Sequence, residues 1–365
     1  MKIKINSNDL LNQIEYCNHA VSTKNYNTIL SNLAIRTDNN YLEIFSTDME
    51  IYIKSKLQCE IIEEGSLTVN ASKLLSILKV YKGNEIVITK EDNIILFKST
   101  DKSIKTTFKL LTLPYEDYPK FNDLEKSYID FNLSCKDLKY YLEVLHYTVS
   151  HEAHRPQLNG ISIISDTNSI LFDSTDGKRG TRIKLNKKLD KFNVIIPNKT
   201  LALLGKVSSN YDNDIKIYIG ETNIKFEIGD ITIISALIQS NFPNFDNIIP
   251  ADNTNVCELN KEVILSSLKR LTPIVGKEFI RIELKFNKNK LNLVANNPDY
   301  GNSEDMIGVK FDKNLTIYVN IFYLIDMISQ CQEDNITLYI NDDIKPMIIY
   351  EDNKILMLMK MKGAE

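Results

Sequence analysis

The chain has 365 residues, is 43 % hydrophobic and 25 % charged, and carries a net charge of −4 with a sequence pI near 5.8. That size and apolar content suit two or three domains with substantial cores, and the slight acidity excludes a protein that coats nucleic acid through bulk positive charge; any such contact must use a local field. Five scattered cysteines (Cys17, Cys59, Cys135, Cys257 and Cys331) without C-x-x-C spacing point to reduced thiols, not to a disulfide frame or a zinc site.

The N-terminal "MKIKINSNDLLNQIEYC" has acidic and amide residues where a signal peptide needs an apolar stretch. No run reaches the ~18 apolar residues of a spanning helix, so a cytoplasmic protein without membrane partners is expected. The segment reads as a short alternating strand and then a helix, with Leu10, Leu11, Ile14 and Cys17 at helical spacing and Ser7 as the expected N-cap. A hairpin follows in "ILSNLAIRTDNNYLEIFSTD", turning at Asp38, Asn39 and Asn40; a second helix is expected over 70–81, then the strands of "NEIVITKEDNIILFKS".

At 128–149 the plan restarts with "YIDFNLSCKDLKYYLEVLHYTV", the hairpin "QLNGISIISDTNSILFDSTD", a helix over 197–207 and further strands. It restarts again at 255–275 with "NVCELNKEVILSSLKRLTPIV", the hairpin "FIRIELKFNKNKLNLVANNPD", a helix over 319–331 and strands ending in "NKILMLMKM". Repetition at a fixed period is the strongest architectural signal in a sequence. Proline-bearing stretches precede both restarts, giving expected domains at 1–126, 127–254 and 255–365. The expected class is α+β: three tandem similar domains, each with two helices packed on antiparallel sheets.

The stretch "STDGKRGTR" (174–182) fits neither GxxxxGK[ST] nor GxGxxG and lies within a sheet pattern, so it reads as a hairpin edge or binding turn; "STDMEIY" (46–52) repeats its opening. In "HEAHRP", His151, Glu152 and His154 lack the i, i+4 spacing of a helical metal site, and catalytic zinc needs three protein ligands. No G-x-S-x-G elbow is present. No catalytic residue, metal or cofactor is expected, and a non-enzymatic role leads; an oligomeric scaffold or an unrecognised hydrolase on a repeat fold is the alternative. Lys73, Lys79 and Lys82 of one helix pattern, and Lys199 and Lys206 of its counterpart, read as solvated faces that would bias a shared concave surface positive.

Taken in order, "DLLNQIEY", "ILSNL", "FSTDMEI", "RPQLNG", "STDGKR", "NFPNFDNIIP" and "ANNPD" resemble the bacterial DNA sliding clamp family, the β subunit of DNA polymerase III, from residue 1 to about 362. The resemblance implies a non-catalytic ring of two protomers. Its helices line a hole for double-stranded DNA, bound without regard to sequence, and it tethers polymerase subunits, the clamp loader and other proteins through short clamp-binding peptides.

Carried over by position, the peptide pocket comprises Arg155 and Leu158; Thr175, Gly177, Lys178 and Arg179; Pro243 and Ile248; Ile344, Pro346 and Met347; and Met357, Met359 and Met361, the last three on one face by strand alternation. Gly180 stands where the family usually has a bulky apolar residue, so extra room is expected there. Lys24, Lys79, Lys82, Lys199 and Lys206 are expected to face DNA. A head-to-tail homodimer is expected to set Lys105, Phe108 and Leu110 against Ile274, Val275, Asp299, Glu304 and Asp305.

Overall fold

Polar steps before the apolar periodic runs set the helix starts. Asn6, Asn70, Asn260 and Asn320 each accept a first-turn amide, and Ser134 accepts that of Asp137 at 2.9 Å. The first cap therefore lies one residue before the expected Ser7. Ser7 is already helical, and its hydroxyl donates to the Tyr81 carbonyl at 2.6 Å. The three expected hairpin turns place Asn39, Thr167 and the Lys288–Asn289 pair at positive φ.

The computed structural model describes residues 1–22, 28–81, 83–121, 123–124, 126–250, 255–276, 278–340 and 345–363. The first repeat runs β1 (Lys2–Asn6), α1 (Ser7–Cys17), β2 (Asn32–Asp38), β3 (Tyr41–Thr47), β4 (Ile51–Gln58) and a short β5 (Glu60–Glu63), then β6 (Ser66–Asn70), α2 (Ala71–Val80), β7 (Glu85–Glu91), β8 (Ile94–Ser99) and β9 (Thr107–Leu111). The second runs β10 (Ile129–Ser134), α3 (Cys135–His146), β11 (Gly160–Ser165), β12 (Ile170–Thr175) and β13 (Arg179–Leu185), then β14 (Phe192–Pro197), α4 (Asn198–Ser208), β15 (Asp214–Ile219), β16 (Asn223–Ile228) and β17 (Ile231–Ala236). The third runs β18 (Val256–Asn260), α5 (Lys261–Leu271), β19 (Arg281–Asn287), β20 (Lys290–Asn297) and β21 (Gly301–Gly308), then β22 (Leu315–Asn320), α6 (Ile321–Ser329), β23 (Asn335–Tyr339), β24 (Met347–Glu351) and β25 (Lys354–Leu358).

Each repeat is thus two halves of the form strand, helix, three strands, with β5 added in the first. The opening strand of each half crosses into the sheet of the other half: β1 pairs with β7 and β6 with β2, and the later repeats do the same.

Compactness divides the chain differently from repetition. One unit holds residues 1–140 and 196–237, with a five-stranded sheet β5-β1-β7-β8-β9 and an eight-stranded sheet β10-β15-β16-β17-β4-β3-β2-β6. Its core includes Leu10, Ile14, Leu74 and Leu78 from the stripes of α1 and α2, which pack together. The other unit holds 141–195 and 238–365, with an eight-stranded sheet β14-β11-β12-β13-β25-β24-β23-β18 and a four-stranded sheet β21-β20-β19-β22. There α5 packs on α6, and the two helices bury Leu268 and Leu271, and Leu324 and Ile328, respectively. Burying each such side chain contributes about 1.5–3 kcal/mol.

Each eight-stranded sheet joins two repeats by main-chain pairing. β4 meets β17 with Ile53 opposite Ile233, and β13 meets β25 with Thr181 opposite Leu356. No described helix is long and apolar enough to cross a membrane.

Candidate functional site

The repeated Ser-Thr-Asp motif folds as one self-bonded turn used twice. After β12, Thr175 Oγ1 donates to the Arg179 carbonyl at 2.7 Å and accepts the Gly177 amide at 3.0 Å, while Asp176 Oδ1 accepts the amides of Lys178 and Arg179 at 2.8 and 2.9 Å. After β3, Thr47 accepts the Met49 amide at 2.9 Å and Asp48 those of Glu50 and Ile51 at 3.0 and 2.8 Å. With these amides engaged by side chains of the turn, it has none of the free donors a phosphate cradle needs.

Beside this turn lies a buried apolar cluster of Leu158, Ile195, Phe242, Phe245, Ile348 and Met357, with Ile248 and Tyr339 among its partly buried neighbours. β13 carries Gly180 opposite Met357 of β25. A Cβ on Gly180 would lie 2.8 Å from Phe245 Cζ and 3.2 Å from Met357 Cε. The extra room expected at Gly180 is therefore filled from within, because the Phe245 ring lies in the space a side chain would take. Arg182 clamps this edge, donating to both Asp173 oxygens at 2.7 and 2.8 Å, bonding Asp246 and lying 5.0 Å over the Phe245 ring.

The other expected pocket residues lie as follows. Pro346 and Met347 are buried, Pro243 and Lys178 are exposed, and the Lys178 carbonyl accepts the Met359 amide at 2.8 Å. Arg155 is exposed beside Gly177, with Nη1 3.1 Å from where a Cβ there would sit. Arg179 is turned to α6: it donates to Asp326 at 2.6 Å and lies 4.1 Å over the Tyr323 ring. Met361 lies past the end of β25, its amide bonded to the Tyr318 carbonyl at 2.7 Å, and lines a separate cavity with Phe279 and Arg281. Ile344 lies outside the described residues. The structure thus gathers Leu158, Ile248 and Met357 in one cluster, and directs Arg179 and Met361 elsewhere. Sequence reasoning missed Phe242, Phe245 and Arg182; the aromatic pair flanking a proline in "FPNF" was the available signal.

Of the lysines expected to face DNA, Lys24 and Lys82 lie outside the described residues. Lys79 and Lys206 are exposed in the last turns of α2 and α4, where a cation suits the helix dipole. Lys206 Nζ lies 3.3 Å from His19 Nε2, and burial together with that ammonium pushes the His19 imidazole below its ordinary value. Lys199 forms an ion pair with Asp48, so part of its field is spent inside the protein.

At the expected dimer contacts, Lys105 is exposed just before β9, and Leu110 is half-buried. Phe108 packs edge-on at 5.6 Å against Tyr81, which caps the C-terminus of α2, and Leu111, 79 % exposed, is the apolar side chain β9 offers to solvent. On β21 Asp305 binds Arg270 and Glu304 bonds Asn292, while Asp299 is exposed before the strand. Ile274 and Val275 are half-buried after α5, the Ile274 carbonyl accepting from Asn297 at 3.0 Å. β9 and β21 each end their sheet.

Burial pushes the thiols of Cys17, Cys257 and Cys331 up to about 12, far from thiolate chemistry at neutral pH. His154 and Glu152 lie 3.3 Å apart on the surface, and no group of three or more His, Cys, Asp or Glu among the described residues is placed to hold a metal ion.

Three family models match in order: DNA polymerase III beta subunit, N-terminal domain, over residues 1–122; its central domain over 132–244; and its C-terminal domain over 246–358. The beta sliding clamp of Rickettsia bellii is 26 % identical over 365 residues, covering 96 % of this chain and 95 % of that protein; that of Escherichia coli K12 is 24 % identical with the same coverage. The crystal structure of a DnaN sliding clamp from Bartonella birtlesii, bound to griselimycin, is similar with a TM-score of 0.93 at 27 % identity over 100 % of both chains. The DNA polymerase III subunit beta of Pseudomonas aeruginosa shares the fold, with a TM-score of 0.93 at 22 % identity over 100 % of both chains.

Proposed function

The chain belongs to the DNA polymerase III beta subunit family and is a sliding clamp of that polymerase, and from this premise we propose that two copies pair head to tail, β9 of one with β21 of the other, to enclose duplex DNA. The observation that carries the reading is a gap in the pairing rule. Within the chain, the last strand of a first half pairs with the last strand of the second half in the next repeat: β4 with β17, then β13 with β25. The third pair of that series needs β21 and β9, and each ends its own sheet.

A second copy satisfies both edges at once about a two-fold axis, and removes two strand edges that otherwise invite aggregation. Lysines at 98, 105 and 109 around β9 complement Asp299 and Glu304 at β21. The three repeats at 1–126, 127–254 and 255–365 are the units this rule relates.

In this reading the clamp acts by tethering and not by turnover. The cluster around Phe245 and Met357 receives apolar side chains of short peptides from polymerase subunits, the clamp loader and other proteins; its methionine adapts to several shapes. Lys79 and Lys206 supply phosphate contacts that carry no base information, as a sliding protein requires.

The test lies in the free edge of β9. The Thr112 amide bonds the Asn93 carbonyl, so by alternation the amides of Lys109 and Leu111 point away from β8. Lys109→Pro then removes an outward donor without breaking the inner ladder. Light scattering is expected to show a dimer for the parent and a folded monomer for Lys109→Pro at micromolar concentration; a dimer in both overturns the β9 assignment.

A further inference from the structure

The first and second repeats build the same hairpin with different chemistry. On β12 and β13 Asp173 lies opposite Arg182, and that cation is fully engaged by Asp173 and Asp246. On β3 and β4 the corresponding pair is Phe45 opposite Lys54. Lys54 turns instead to Glu43, 2.6 Å away, and the same carboxylate binds Arg36 at 2.6 Å and Lys56 at 3.3 Å. Glu43 is 1 % exposed, so three cations converge on one buried anion.

These cations and Lys120 line a cavity of about 1060 Å³ that lies wholly within the first compact unit. Its volume lies just above the ~300–1,000 Å³ typical of ligand clefts. Phe45, Tyr115 and Phe121 supply an apolar wall: the Phe45 and Phe121 rings are 5.8 Å apart, and Arg36 lies 5.1 Å over Phe45. Glu116 and Asp123 are the acidic members of the lining, and Asp123 is bridged to Lys225 at 3.1 Å.

We infer that this cleft is a second recognition site, separate from the Phe245 cluster, which binds a peptide segment of a partner protein bearing one carboxylate beside an aromatic side chain. The charge count selects that ligand. With the bridge at Asp123 included, five cations (Arg36, Lys54, Lys56, Lys120 and Lys225) face four anions (Glu43, Glu116, Asp123 and Glu227, the last also paired with Lys225), which leaves a surplus of one positive charge. A single carboxylate matches it, whereas a nucleic-acid strand would set several phosphates against Glu116 and Asp123. The aromatic side chain stacks on Tyr115 and Phe121, the partly exposed rings that cover the buried Phe45, where ring geometry and the nearby cations both favour it. The site stands apart from ring closure and from the other peptide cluster.

Calorimetry on the full chain tests it with an acetylated, amidated tetrapeptide, glycine-aspartate-phenylalanine-glycine, and with its asparagine counterpart. The aspartate peptide is expected to bind saturably. The double variant Lys56→Ala, Lys120→Ala should weaken it by about 10-fold, and so should replacing its aspartate by asparagine, since each removes a charge-assisted hydrogen bond. Lys54 and Arg36 remain to satisfy Glu43, so this variant should keep the parent melting temperature. Phe121→Ala should weaken both peptides. A photoreactive phenylalanine in the peptide should crosslink at Tyr115 or Phe121. Absence of saturable binding, undiminished binding in the double variant, crosslinks at Phe242 or Phe245, or displacement of the peptide by pentathymidylate each overturns the proposal.

Discussion

Two residues show how local chemistry departs from what their type suggests. Gly180 has an ordinary strand conformation, and its lack of a Cβ admits the Phe245 ring. Gly180→Ala places a carbon 2.8 Å from a buried ring, so it should destabilise the protein by about 1–3 kcal/mol, with Gly180→Leu worse. Thermal unfolding checks this; an unchanged midpoint for Gly180→Ala would mean that Phe245 yields at little cost. Glu43 is the second case. Burial works to raise its carboxyl, but Lys54 and then Arg36 outweigh it and hold it below the ordinary 4.5. A folded value below the unfolded one gives stability that is present above about 4.5 and lost as pH falls through the lower folded value. Glu43→Gln should cost roughly 1–3 kcal/mol near neutrality, because charge-assisted hydrogen bonds to a buried carboxylate are lost while the three partly exposed cations keep their hydration. The gap in melting temperature between parent and variant should close on the acid side of 4.5; a gap independent of pH would show that Glu43 contributes no charge to stability. The role of Gly180 was not legible in the sequence, since Phe245 arrives from a distant segment; the partners of Glu43 are cross-strand neighbours, Arg36 and Lys56 directly opposite it, and what the sequence hid was its burial.

At the scale of elements, periodicity was legible and strand ends were not. Alternation placed Met357, Met359 and Met361 on one face, but the rule holds only while the strand lasts. β25 ends at Leu358, and the following chain bonds Lys178 and then Tyr318. Met357 alone of the three enters the Phe245 cluster. Met357→Ala should therefore destabilise the protein by about 2–5 kcal/mol and weaken the clamp-binding peptide, whereas Met361→Ala should leave peptide affinity within about twofold. Titration of a fluorescent partner peptide separates them; equal losses in both variants would place Met361 in the peptide site after all. The Ser-Thr-Asp turns were legible as repeats because threonine and aspartate bond the backbone of their own turn in both places. The cap at Asn6 was missed by one residue because Ser7 is equally suited by type and only the Tyr81 carbonyl decides between them.

For the whole molecule, three restarts in the sequence marked the repeat, yet compactness follows another division, with the middle repeat shared between two units. The cause is main-chain pairing of β4 with β17 and of β13 with β25, whose alternating apolar residues would suit many partner strands. That pairing rule, once visible, leaves β9 and β21 as the unfilled pair and makes ring closure by a second copy the central claim. The most direct measurement is retention on DNA after assembly by the clamp loader onto a nicked circular plasmid, followed by linearisation of half the sample and gel filtration at raised salt. The protein should stay with the circle and be lost from the linear form, because topology and not phosphate affinity holds it. Equal loss from both forms would contradict ring closure.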